Sequence, residues 1–158
     1  MKTELWLTGK TALPYIDEGM AVYEKRLPHY LSFQTVVLPE VKNAGTLPPD
    51  LLKQKEGEVA LAKLKPGDFL VLLDEKGKHL TSVEFARYME QWFQAAHKRL
   101  IFLVGGAWGF SEEMYRRADF RLSLSKMTFS HQMVRLFFLE QLYRAMIILR
   151  GEGYHNEG

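Results

Sequence analysis

Cysteine is absent from all 158 residues, which excludes disulfide scaffolds, thiolate zinc sites, iron–sulfur clusters and cysteine nucleophiles. A reducing, cytoplasmic setting suits such a chain. Long apolar runs are missing too. The longest, Phe69 to Leu73, Leu100 to Val104 and Ala145 to Leu149, are five residues each, against about 20 for a bilayer span. The opening Met1-Lys2-Thr3-Glu4-Leu5-Trp6 places an acid where a signal peptide would be apolar, so neither secretion nor membrane insertion is expected. A dominant charge is lacking: 21 Lys and Arg stand against 19 Asp and Glu, a net +2. Nucleic acid is therefore not coated by charge alone, and any contact with it must be local. The histidines, His29, His79, His97, His131 and His155, form no His-x-x-x-His or His-Glu-x-x-His pair, so no metal is expected. No Gly-x-Ser-x-Gly elbow marks a serine nucleophile.

What the chain has is the composition of one soluble domain over residues 1–158, with 47% hydrophobic and 25% charged side chains. Short β-rich runs at Lys2 to Thr8, Leu31 to Leu38, Asp68 to Asp74, Leu100 to Gly105 and Phe120 to Leu124 alternate with helical patterns. The helices are expected at Pro14 to Lys25, Pro49 to Leu64, Thr81 to His97, Ser111 to Ala118 and His131 to Arg150. Thr81 with Glu84 reads as a capping box. The third and fourth strands are apolar almost throughout, as strands covered on both faces are. The fold class is therefore α/β, a mostly parallel sheet flanked by helices. Residues 41–49 form the one long loop-like passage.

In the last helix apolar residues fall on every side of the helical wheel, and such a helix must be covered all round. Cover from a second copy of the chain, a homodimer, is the expectation. Glu140 and Arg144 are spaced for an ion pair.

Ligands of parallel sheets bind at the carboxyl ends of the strands. Three such ends carry small or polar residues: Leu73-Asp74-Glu75-Lys76-Gly77, Val104-Gly105-Gly106-Ala107-Trp108-Gly109, and Leu122 through His131. Each has a plain structural reading as well. Asp74 can be a solvated turn, the glycines a strand-to-helix turn, and Ser125, Thr128 and His131 a helix start. The glycines match neither the G-x-G-x-x-G fingerprint nor a P-loop.

Together with His131-Gln132-Met133-Val134-Arg135, Glu140-Gln141-Leu142-Tyr143-Arg144-Ala145 and Gly153-Tyr154-His155, these segments resemble the bacterial ribosomal RNA large subunit methyltransferase H family. Its members are SPOUT, or α/β-knot, methyltransferases. The resemblance implies a single-domain α/β fold with a C-terminal trefoil knot, a homodimer, and S-adenosylmethionine as methyl donor. It also implies methylation of N3 of pseudouridine 1915 in helix 69 of 23S rRNA, on the assembled ribosome. By position, cofactor contacts fall on Leu73, Gly105, Leu124, Ser125, Lys126, Met127, Thr128 and Phe129. His131, Arg144, Tyr154 and His155 become candidates for substrate positioning or proton handling. Ser130 stands where members commonly have proline. Lys10, Lys25, Arg26, Arg116 and Arg117 are candidate phosphate contacts. Two other readings stay open: a SPOUT enzyme acting on tRNA or another rRNA nucleotide, and a silent RNA-binding module.

Overall fold

Apolar residues on both faces of a strand demand helices on both faces of the sheet, and the chain supplies them. A computed structural model of the chain describes residues 1–154. Five strands, β1 (Lys2–Thr8), β2 (Phe33–Leu38), β3 (Asp68–His79), β4 (Arg99–Val104) and β5 (Phe120–Ser123), form one sheet in the order β2-β1-β4-β3-β5, with every neighbouring pair parallel. The helices are α1 (Pro14–Arg26), α2 (Pro49–Lys63), α3 (Ser82–Gln94), α4 (Glu112–Arg117) and α5 (Met133–Arg150). Side chains alternate along each strand. Leu5, Leu7, Val71, Phe102 and Val104 therefore share a core with α1, α3 and α5. Trp6, Leu70, Leu72, Ile101 and Leu103 share another with α2 and α4. Each fully buried Leu, Ile or Phe contributes about 2 kcal/mol.

Three expectations change. The third strand does not end at Asp74. Leu122 of β5 pairs with both Leu73 and Lys78, so residues 74–77 bulge out of the ladder before β3 runs on to His79. Backbone pairing needs no apolar side chains, and the polar second half of this strand carries no periodic signal. Glycine is required at the crossing: a Cβ on Gly77 would lie 2.6 Å from the carbonyl carbon of Arg121. Second, α3 ends at Gln94 rather than His97, and the His97 ring instead packs 4.6 Å from Phe69. Its start agrees with the capping box: Thr81 N–H donates to Glu84 Oε1 at 2.8 Å, and Glu84 N–H to Thr81 Oγ1 at 3.1 Å. Third, α5 finds much of its cover inside its own chain. Phe138, Leu139, Leu142, Ala145 and Met146 are buried over the sheet between α1 and α3. Phe137, 37% exposed, is left at the rim.

At the amino end of the sheet three charged residues close on one another. Arg99 gives Asp68 a two-pronged bond, Nε to Oδ1 at 2.8 Å and Nη2 to Oδ2 at 2.6 Å. Its Nη1 lies 3.4 Å from Glu4 Oε1, and Glu4 also accepts from Trp6 Nε1 at 2.8 Å and Gln34 Nε2 at 2.7 Å. Burial pushes the Asp68 carboxyl up, but the bonds from Arg99 and from the Lys65 N–H outweigh it and hold the group below the ordinary carboxylate range. No helix among the described residues is long and apolar enough to cross a membrane.

Candidate active site at the carboxyl end of the sheet

At the opposite end, β4 and β5 stop beside the bulge of β3 and open a cleft of about 500 Å³. Three chain segments wall it, because parallel neighbours deliver their outgoing loops to the same edge. The first is the β3 bulge, with Leu73, Asp74 and Glu75. The second is the turn after β4, from Gly105 to Phe110, closed by a bridge between Gly106 and Gly109. Gly106 sits against α2, where a Cβ would come 2.6 Å from Glu56 Oε2. The third is the loop from β5 into α5.

That third loop is braced by its own small hydroxyls. Ser123 Oγ donates to the Ser125 carbonyl at 2.8 Å, and Met127 N–H donates to Ser125 Oγ at 2.9 Å. Thr128 Oγ1 donates to Glu75 Oε2 at 2.9 Å, tying this wall to the β3 bulge. Ser130 Oγ accepts from Met133 N–H at 3.1 Å as α5 begins, an N-terminal capping contact that a proline side chain cannot make. Arg135, fully buried, donates to the carbonyls of Thr8 and Gly9 and to Thr11 Oγ1, each at 3.0 Å, so α5 is anchored to the end of β1.

Of the residues singled out from the sequence, Leu73, Gly105, Leu124, Ser125, Met127, Thr128, Phe129 and His131 line this one cleft. Lys126 belongs to the same loop but is exposed and does not line the cleft. Arg144 and Tyr154 lie elsewhere. Arg144 is ten residues beyond Val134 on α5, about 15 Å along the helix. It binds Glu140 Oε1 through Nη2 at 2.6 Å, and its guanidinium stands 4.8 Å from the Tyr154 ring centre. Tyr154 Oη donates to the same Glu140 oxygen at 3.1 Å, and burial together with Tyr23 and the Glu140 charge pushes the phenol up to about 12. His155 lies outside the described residues. Of the candidate phosphate contacts, Arg117 is engaged with Asp119 Oδ2 at 3.1 Å and the Asp68 carbonyl at 3.0 Å. Arg26 lies against the Tyr143 and Tyr23 rings, 5.5 and 6.0 Å from their centres.

Nothing in the sequence pattern pointed to Tyr115, Glu56 or Glu112. Tyr115 comes from α4 into the cleft, where burial and the Asp74 charge push its hydroxyl up to about 12. Asp74 Oδ2 and Glu56 Oε1 are buried without hydrogen-bond partners, and burial raises the Glu56 carboxyl above the ordinary range. Burial, then the Arg135 charge, lower the His131 imidazole, so it is neutral at neutral pH and able to accept a proton. Among the described residues no group of three or more His, Asp or Glu is placed to hold a metal ion.

A parallel sheet with a glycine turn and a strand-to-helix loop closing over one cleft is the build of a SPOUT methyltransferase, and the family profile described as "Predicted SPOUT methyltransferase" matches residues 1–155. The solved structure of a probable methylase family protein from Haemophilus influenzae shares the fold, with a TM-score of 0.53 at 11% identity over 94% of this chain and 66% of that one. Proteins called ribosomal RNA large subunit methyltransferase H from Parabacteroides distasonis and Cytophaga hutchinsonii are each 52% identical over 99% of this chain and 100% of their own length. The one from Bacteroides fragilis is 50% identical over the same span. The chain belongs to the ribosomal RNA large subunit methyltransferase H family.

Proposed function

We propose that the protein transfers a methyl group from S-adenosylmethionine to N3 of a pseudouridine of the large-subunit ribosomal RNA, position 1915 in helix 69 of 23S rRNA, on the assembled particle. The observation that carries this reading is the convergence of three sequence-distant segments on one cleft, in a chain about half identical to its relatives from end to end.

The cleft suits the donor. Leu73, Leu124, Met127 and Phe129 offer an apolar slot for adenine, Gly105 and the 124–129 backbone offer close polar contact, and the unpartnered Asp74 oxygen offers a carboxylate to a cationic group. When bound, S-adenosylmethionine supplies a methyl group already activated by the sulfonium. What remains for the protein is alignment of the target nitrogen and removal of its proton. His131 is the group proposed to take the N3 proton, since it lines the cleft and is neutral.

Arg144 and Tyr154, proposed to position substrate, do not reach the cleft of their own chain. A homodimer, in which one protomer brings this pair to the cleft of the other, reconciles their placement with that role. The family implies a trefoil knot in the C-terminal part of the chain. The setting proposed is cytoplasmic, where ribosomes are. Transfer of tritiated methyl from S-adenosylmethionine to purified ribosomes, compared with total tRNA, tests the reading, together with mass spectrometry of helix 69 from a strain lacking the protein. Labelled tRNA with unlabelled ribosomes, or an unchanged helix 69, would refute it.

A further inference from the structure

Beside the cleft, and separated from it only by Tyr115 and Lys76, which line both, runs a second open groove of about 440 Å³. Lys76 and Lys78 stand on its β3 side and Arg121 on its β5 side. The bulge creates this arrangement. Gly77 presses onto the Arg121 backbone, and the lysines on either side of that glycine are brought level with Arg121 across the ladder.

The charge of the groove is unbalanced. The ion pairs of the described residues join Lys53 to Asp50, Arg99 to Glu4 and Asp68, Arg117 to Asp119, and Arg144 to Glu140. None includes Lys76, Lys78 or Arg121. The one acid in the groove, Asp119, is already taken by Arg117 and by the Leu70 N–H at 2.8 Å. Arg121 is held 5.1 Å from the centre of the Tyr115 ring, and Lys78 Nζ donates to Tyr88 Oη at 2.7 Å and lies 5.3 Å from that ring's centre. Two of the three cations are thus propped on aromatic rings, which fix their direction without neutralising them. All three are exposed.

We infer that this groove is the track for the sugar–phosphate backbone of the substrate RNA next to the target nucleotide, with Lys76, Lys78 and Arg121 as its phosphate contacts. RNA fits because a strand presents its phosphates in series to cations arrayed along a groove, and because this groove adjoins, across Tyr115 and Lys76, the cleft where the base must be delivered. The inference rests on the RNA methyltransferase reading above. It also gives a chain of net charge only +2 a local cluster of three cations beside the cleft.

Steady-state methyl transfer to ribosomes by the full chain carrying K78Q/R121Q, at several salt concentrations, tests the track. The expected result is a KM for ribosomes raised about tenfold and a slope of log KM on log salt reduced by about 1.5. The kcat and the calorimetric affinity for S-adenosylmethionine should stay within a factor of two, since neither residue lines the cleft, and K78R/R121K should restore the KM. An unchanged KM and salt slope would overturn the track, as would a fall in kcat or in cofactor affinity with KM unmoved. A wild-type chain that neither binds S-adenosylmethionine nor methylates ribosomes would instead sink the methyltransferase reading. The two failures are therefore separable.

Discussion

The two ends of the sheet treat charge in opposite ways. At the amino end, Glu4, Asp68 and Arg99 meet at hydrogen-bond distance, and Trp6 and Gln34 use the remaining Glu4 lone pairs. At the carboxyl end, Asp74 and Glu56 each keep a buried oxygen without a partner, and Lys76 enters none of the ion pairs of the described residues. Both ends belong to the same strands, so the contrast does not come from the sheet. It comes from the residues gathered at each edge: satisfied charges lock one end, and at the other glycines and small hydroxyls leave polar groups open to a ligand. Unmet hydrogen-bonding capacity costs stability, and the two buried carboxylate oxygens left unmet among the described residues, those of Asp74 and Glu56, both lie at the carboxyl end.

Breaking the locked end should have the largest effect. Arg99→Ala strands the Asp68 carboxylate and is expected to cost about 4 kcal/mol, lowering Tm by roughly 10 °C with little change in cofactor affinity per folded molecule. A larger loss of cofactor affinity than of Tm would erase the contrast between the ends.

At the open end, His131→Gln should slow methyl transfer about 100-fold while leaving cofactor affinity within a factor of two by calorimetry. The folded imidazole titrates below its ordinary value of 6.5, because burial and the Arg135 charge disfavour its cation. Wild-type transfer is therefore flat through neutral pH and falls as pH drops through that lowered value. The same sign applies to stability: the neutral imidazole's contribution is complete above 6.5 and is lost on acidification through the folded value. A wild-type profile that breaks well above 6.5, or a His131→Gln variant of undiminished rate, would remove His131 as the proton acceptor.

Ser130→Ala should cost about 1 kcal/mol in urea unfolding, the usual value of a lost capping hydroxyl. No change would mean that Met133 N–H is satisfied equally well by water.

Glu56→Gln carries the smallest effect and the opposite sign. Burial raises the folded carboxyl above its usual 4.5, so its favourable contribution is complete below 4.5 and lost as pH rises through the folded value. The amide should therefore raise Tm slightly at pH 7 and not at pH 4. A lowered Tm at pH 7 would show the ionised carboxylate to be engaged, and the open end less open than described.

Much of the fold is legible because burial on two faces writes itself into sequence. The apolar runs of β3 and β4, the Thr81 capping box and the alternating strands and helices are all readable in order. The polar half of β3 is not, since residues 75–79 show no hydrophobic period, and Lys78 and His79 rejoin the ladder through their backbone alone. The covering of α5 escapes the pattern for a related reason: a helical wheel shows how much surface needs cover but not which neighbours provide it. In the cleft, residues that share a segment can be named together, as Leu124 to Phe129 are. Tyr115 cannot, because it reaches the cleft from α4, on the side of the other core.

Composition and pattern alone determined a cysteine-free α/β domain with its polar and glycine-rich groups at the carboxyl ends of its strands, and its motifs placed it in its family. Only the tertiary structure decided which groups stay unpaired, because pairing depends on distances between residues far apart in the chain. Arg99 reaches Asp68 across neighbouring strands, whereas Lys76, Lys78 and Arg121 meet around a glycine bulge and enter none of the ion pairs of the described residues. Sequence lists the charges. The register of β3 against β4 and β5 decides which are satisfied within the chain and which are left for a ligand.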